Sequence, residues 1–167
     1  MTAAASPRPD PRFGIVVPTW NNLEHLKLCL ASIAANSAFA HDVFVHVNDG
    51  SDGTLDWVRE NGIRHSWTAD NLGVPLSVNL LAAEVTCDWI LYLNDDMWVC
   101  PGWDVALIEA IAAAGTDRLF LCSRLVEPVD TGDSRVRVLD CGRTPETFDP
   151  DKLLADCRNP GRDERFV

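Results

Sequence analysis

Residues 13–17 are almost wholly apolar and stop at Pro18, which predicts a short buried strand. Leu23, Leu26, Leu30 and Ile33 then share one face of a helix, with Asn21 or Asn22 placed to cap its start. Residues 42–47 alternate as a second strand: Val43, Val45 and Val47 lie on one side, Phe44 and His46 on the other. A polar loop with two glycines follows, Asn48-Asp49-Gly50-Ser51-Asp52-Gly53. Residues 54–61 read as a short helix closed by Gly62, and residues 63–68 as a third strand. Pro75 suits the first turn of the next helix, whose expected apolar stripe is Leu76, Leu80 and Ala83.

The chain is organised around the next stretch. Residues 89–93, Trp-Ile-Leu-Tyr-Leu, carry no charge and predict a buried strand. It runs straight into Asn94, Asp95 and Asp96. Pro101 opens a further helix over residues 102–114, ended by Gly115, and residues 118–122 read as another strand. After Ser123 charged residues, glycine and proline become dense, and the clear periodic piece is residues 151–157. Strand and helix alternate up to Cys122, which predicts an α/β fold with a mainly parallel, doubly wound sheet flanked by helices. Residues 1–12, rich in Ala and Pro, are expected to form a flexible N-terminal tail, and residues 124–167 a loop-rich segment.

The composition narrows the chemistry. A hydrophobic fraction of 47% over 167 residues supports a folded core. The formal net charge of −11 argues against nucleic acid and against binding an anionic membrane by charge alone. Two adjacent carboxylates at the exit of a buried strand repel each other, and a divalent cation carrying a phosphorylated ligand would relieve that cost. In open α/β sheets such ligands sit at the carboxyl ends of the strands. Cys29, Cys87, Cys100, Cys122, Cys141 and Cys157 form no zinc spacing, and several sit in apolar runs. They are read as free thiols of a cytoplasmic protein. No apolar run is long enough to span a bilayer, and membrane association through a further segment stays open.

Each polar cluster has a plain alternative. Asp95-Asp96 alone could be a solvated loop, and Asn48-Asp49-Gly50 could be a hairpin turn, although the helix after it disfavours one. Thr19 and Asn21 could only cap a helix, and Asn79 could only cross-link backbone. Trp20, Trp98 and Trp103 could be packing residues. His25, His41, His46 and His65 share no spacing and are read as structural or exposed.

Taken together, the clusters resemble glycosyltransferase family 2, of the GT-A fold. Ile15-Val16-Val17-Pro18-Thr19-Trp20-Asn21 is similar to the family's opening strand and Pro-Thr-Tyr-Asn turn. Residues 48–54 resemble its Asp-Asp-Gly-Ser-x-Asp-Gly-Thr loop with one residue fewer. Asn71-Leu72-Gly73 through Asn79 looks like its Asn-x-Gly…Asn helix, and Asn94-Asp95-Asp96 stands where its metal-binding Asp-x-Asp motif belongs. Each motif is weak alone, and four in order over residues 13–103 are fairly specific. Three positions depart from the pattern: Asn48 and Asn94 replace an Asp, and Val78 stands where the third helix often carries Arg.

The resemblance implies that residues 13–123 are a nucleotide-sugar-binding domain, with residues 124–167 the start of an acceptor region. It implies a nucleotide site of Pro18, Thr19, Trp20, Asn21, Asp49, Asn79, Asn94 and Asp95, with Thr19 and Asp49 on the base. Asp96, with Asp95, would hold Mn²⁺ or Mg²⁺. The implied reaction is metal-assisted, inverting transfer of a sugar from a nucleotide-diphosphate sugar, a UDP-sugar first, to a glycan, lipid or small-molecule hydroxyl. The family's catalytic base lies well downstream of the metal motif, so it is expected beyond Val167, the chain being read as an incomplete enzyme. Asp140, Glu146, Asp163 and Glu164 are acidic and late in the chain but not otherwise marked. The alternative is a non-catalytic nucleotide-sugar-binding module without that base. A nucleotidyltransferase ranks last, because residues 18–22 offer neither Gly nor a cation for a phosphate loop. A chain cut through its acceptor region would expose apolar surface, which leaves a homo-oligomer open.

Overall fold

The structure is a computed structural model that describes residues 13–158. The N-terminal tail and the candidates Asp163 and Glu164 lie outside the described residues. The chain forms two compact units, one ending at Asp104 and one starting at Val105.

In the first unit the elements follow in order. They are β1 (Phe13–Trp20), α1 (Leu23–Asn36), β2 (Asp42–Asn48), α2 (Thr54–Glu60), β3 (His65–Thr68), α3 (Gly73–Ala82) and β4 (Trp89–Tyr92). The four strands form one sheet in the order β3-β2-β1-β4, every pair parallel. Parallel strands need crossovers, and the right-handed rule places α1 and α2 on one face and α3 on the other. Val16 and Phe44 face α3, where they cluster with Leu81, Val78 and Val85. Ile15, Val17, Val45 and Val47 point to the opposite face and are fully buried. Burial of each such side chain contributes about 1.5–3 kcal/mol. Gly14 permits close approach over the α3 face, since a Cβ there would overlap Val85.

β1 runs through Pro18 instead of stopping at it. The reason is directional. Val16 turns its carbonyl toward the β4 side, where it accepts from Leu93 N at 3.1 Å, and Pro18 shares that orientation. β4 has ended by then, so the missing N–H of Pro18 costs no ladder bond.

Three other expectations are corrected. Residues 89–93 are not a buried strand: β4 pairs only with β1 among the described residues, leaving Ile90 and Tyr92 51% and 45% exposed. The stripe of α3 is rotated, with Leu76, Leu80 and Ala83 exposed and Ser77 and Leu81 buried. Ser77 holds the central place because its hydroxyl is satisfied there by Gly73 O at 2.8 Å and by Asn48. Residues 118–122 form no strand, for no described strand pairs with them, and Phe120 is 95% exposed.

At the amino end of β1 a buried polar cluster joins three segments. Asp104 Oδ2 accepts from Ala38 N at 2.8 Å, Phe39 N at 2.9 Å and His41 Nε2 at 3.0 Å. His41 Nδ1 accepts from Phe13 N, which puts the ring proton on Nε2. The rings of Phe13, His41 and Trp103 pack around it, with centroids 5.2–5.9 Å apart. The segment leading to Asp104 is sewn to α1: Val99 N donates to Ser32 Oγ at 3.1 Å and Asn36 Nδ2 to Val99 O at 2.8 Å.

His46, in the middle of β2, is fully buried between Ser66 Oγ at 2.7 Å and Thr68 Oγ1 at 3.2 Å. Burial pushes its pKa below the usual histidine value, against a smaller opposing pull from Asn48. The unfolded chain therefore takes up this proton more readily, so stability is full above about pH 6.5 and falls as pH drops below it. Urea unfolding at pH 7.5 and 5.5 should show that fall, and His46→Gln, which does not titrate, should lessen it. Equal pH dependence in both proteins would refute the assignment.

α4 (Trp103–Ala114) starts in the first unit and continues into the second, where Gly115 at φ 64° follows it. The second unit also contains β5 (Leu125–Glu127), β6 (Val136–Val138) and α5 (Pro150–Cys157). β5 and β6 pair in parallel. Asp149 caps α5 by accepting from Lys152 N at 2.9 Å, and a largely buried ion pair joins Arg137 to Asp156.

Candidate functional site

The carboxyl ends of β1, β2 and β4 bring three loops together. Thr19, almost fully buried at the end of β1, donates its hydroxyl to Asp95 Oδ2 at 2.6 Å. Asn21 Nδ2 donates to Asp49 Oδ2 at 2.7 Å and to Ser51 Oγ at 3.2 Å, while Asn21 Oδ1 accepts from Gly50 N at 3.0 Å. Asn21 and Asp49 both hold positive φ, 47° and 61°, an uncommon conformation for residues other than Gly. Gly50 is required between these strands and α2: its φ is +80°, and a Cβ would lie 2.8 Å from both Leu55 Cβ and Val47 Cγ1.

Neither Asn21 nor Asn22 caps α1 with its side chain. Asn21 is engaged across the loop, and Asn22 Oδ1 faces His25 Nδ1 at 2.7 Å. The cap comes from the β2 loop: Asp52 Oδ2 accepts from Leu23 N and its Oδ1 from Thr54 N, each at 3.0 Å. One carboxylate thus serves the starts of α1 and α2, where the helix dipoles also favour negative charge. Burial alone would raise its pKa, but the bonds from Thr54 and Leu23 bring it below the usual carboxylate value.

Asn48 is a bracket. Its Nδ2 donates to Thr19 O at 3.1 Å and Ser77 Oγ at 3.2 Å, and its Oδ1 accepts from Leu72 N at 2.8 Å. Only an amide offers both donor and acceptor here, which accounts for Asn where the family pattern has Asp. Val78, at the Arg position of that pattern, packs against the Val16–Phe44–Leu81 cluster.

After β4 two side chains steady the backbone and side chain of Asn94. Cys29 Sγ donates to Asn94 O at 3.6 Å, and Tyr92 OH donates to Asn94 Oδ1. Asp95 is half-buried, whereas Asn94 and Asp96 are exposed. Burial raises the pKa of Asp95; Thr19 and Asn22 pull it down, Asp96 pushes it up, and the net shift is upward. Burial, with Asp95 and Asp96 nearby, pushes the Cys29 thiol up to about 12 and raises Tyr92 as well. In all three the main cause is burial, and the neighbouring carboxylates add a smaller upward push.

The donor set, two adjacent carboxylates, fits a divalent cation. Carboxylate oxygens are the hard ligands that Mg²⁺ and Mn²⁺ prefer. No three His, Cys, Asp or Glu side chains that could hold a metal come together among the described residues. The remaining ligands would have to come from diphosphate and water, as is usual for Mg²⁺.

Among the remaining sequence candidates, Pro18 is buried within β1 and Trp20 stands 59% exposed at its end. Asn79 is exposed on α3, and its amide makes no hydrogen bond among the described residues; the polar group that α3 turns toward the loops is Ser77. In the second unit, Asp140 is held below the usual carboxylate value by Gly142 N–H and then by Arg143, which suits an ion-paired acid better than a base. Glu146 is exposed. Sequence reasoning passed over Asp52, Ser77, Trp67 and Cys29. Asp52 before Gly53-Thr54 carried a capping signal, whereas the others are recognisable only once the strands are assembled.

No match appears among curated protein sequences. Among solved structures, S. aureus TarS residues 1–349 is similar at 23% identity and a TM-score of 0.51, covering 60% of this chain and 31% of that one. The complex of the same protein with UDP-GlcNAc matches at 21% identity and a TM-score of 0.62, covering 74% and 37%. Its complex with UDP matches at 21% and 0.61, covering 74% and 38%. The chain spans less than two fifths of the length of these structures, and the likeness establishes a GT-A, Rossmann-like α/β fold. The sequence profile of glycosyl transferase family 2 matches residues 14–158. The chain belongs to glycosyl transferase family 2.

Proposed function

We propose that the first unit binds the nucleotide diphosphate of a UDP-sugar donor, and that the protein transfers the sugar to an acceptor hydroxyl with inversion and metal assistance. The observation that carries this is the pairing of Thr19 with Asp95 and of Asn21 with Asp49 across three strand ends. These pairs align the loops that the family uses for base, ribose and diphosphate. The choice of uracil as the base is supported by the TarS complexes, which hold UDP-GlcNAc and UDP.

Asp49 and Thr19 would recognise the base, Trp20 would flank it, and Asp95 and Asp96 would hold Mn²⁺ or Mg²⁺. The metal supplies Lewis-acid stabilisation of the leaving diphosphate. The chain's own part is to fix the loops before the ligand arrives. Asp52 ties the starts of α1 and α2, and Asn48 ties β1 to α3, so little reorganisation remains at binding.

Isothermal titration of UDP, GDP and dTDP, each with Mn²⁺ and again with EDTA, tests the reading. UDP should bind in Mn²⁺ and lose at least tenfold in affinity in EDTA, about 1.4 kcal/mol. A folded chain that takes none of the three nucleotides would leave only a shared fold.

A further inference from the structure

Taking the donor-site reading above as its basis, we infer that Trp67 is a positioning residue for recognition of the nucleotide base, acting through Asp49. Asp49 sits at φ 61°, a left-handed conformation that Asp tolerates better than most residues and that its neighbours hold in place. It is held from several sides. Its N–H donates to Thr68 O at 2.8 Å, and its C=O accepts from Trp67 Nε1 at 2.7 Å. Its Oδ2 accepts from Asn21 Nδ2 at 2.7 Å and from Ser51 Oγ at 3.1 Å. Two of the four bonds come from adjacent residues of β3, beyond the point where β2 ends.

Trp67 is an unusual side chain for this place. It is 46% exposed, so half of its surface contributes nothing to the core. What it supplies is a fixed indole N–H directed at one carbonyl. With Oδ2 engaged twice, Asp49 Oδ1 has no hydrogen bond among the described residues. That oxygen is the acceptor left for the imino N–H of a base such as uracil. Release of the carbonyl would free the left-handed turn and misdirect Oδ1.

The test separates base recognition from diphosphate binding. Mn²⁺–UDP and Mn²⁺–pyrophosphate are titrated into the wild type, Trp67→Phe, Asp49→Ala, and a chain with benzothienylalanine at position 67. The last keeps the shape of the indole and replaces its N–H by sulfur, so it reports on the bond even where Phe disturbs packing. Urea unfolding shows that each variant is folded. Both position-67 variants should bind UDP about tenfold more weakly, the equivalent of one net hydrogen bond, with pyrophosphate binding unchanged. Wild-type affinity for UDP in both, with Asp49→Ala impaired, would overturn the role of Trp67 and leave the donor site standing. A wild type that binds UDP no better than pyrophosphate would overturn the donor-site reading and this inference with it.

Discussion

Asp104→Ala is expected to destabilise the first unit by about 3–5 kcal/mol, because it strips a buried acceptor from three donors at once. Asp104 is fully buried, and a single oxygen takes the N–H groups of Ala38, Phe39 and His41. The methyl of Ala can satisfy none of them. His41 cannot turn for another partner without releasing Phe13 N, the first ladder residue of β1. A cost of that size is a large fraction of the 5–15 kcal/mol typical of a whole domain. Urea denaturation followed by far-ultraviolet circular dichroism measures it. A shift below about 1 kcal/mol would mean that water reaches the three donors and that the cluster is not the anchor described here.

The second large effect is on binding and runs opposite to stability. Asp95→Asn should lower metal-dependent UDP affinity on the order of a hundredfold, about 2.7 kcal/mol, by removing one of two adjacent charges offered to the cation. The same change should leave the free chain as stable as the wild type or more so, within about 1 kcal/mol. Asn keeps an oxygen for the Thr19 hydroxyl. It also removes a carboxylate whose ionised form is disfavoured by burial and by Asp96. Calorimetric titration with Mn²⁺ gives the first quantity and thermal unfolding of the free protein the second. Unchanged affinity would remove Asp95 from the metal site. A marked loss of stability would mean that its charge serves the fold.

The contrast between these two carboxylates shows what a single sequence reveals. Asp95 could be singled out because it ends an uncharged run and has a like neighbour, a local pattern with a chemical cost. Asp104 carried no such mark: it follows Pro101-Gly102-Trp103 as any first-turn acid might, and its partners lie more than sixty residues earlier. β1 and β2 were legible because both faces are buried and most of their residues are apolar, Thr19, Asp42, His46 and Asn48 being the polar ones. β4 misled for the same reason, since an apolar run does not say whether a strand has one neighbour or two. The stripe of α3 misled because Ser77, polar in sequence, finds its bonds inside. The strand expected over residues 118–122 shows that a strand depends on a partner as much as on its own side chains. At the site, motif order brought Thr19, Asp49 and Asp95 to notice. The cross-links that fix them, from Asp52, Asn48 and Trp67, are tertiary and have no local signature.

The strand order also bears on synthesis. β1 is an inner strand, yet one of its two neighbours, β4, is made roughly 75 residues later, about 4–15 s at 5–20 residues per second. Throughout that interval the β4-facing edge of β1, where Gly14 and Val16 direct their backbone groups, waits on the ribosome half-paired. Pairing so distant in sequence is slow even in the released chain. The rate at which Trp89–Tyr92 emerges therefore sets how long this sheet is open to the wrong strand.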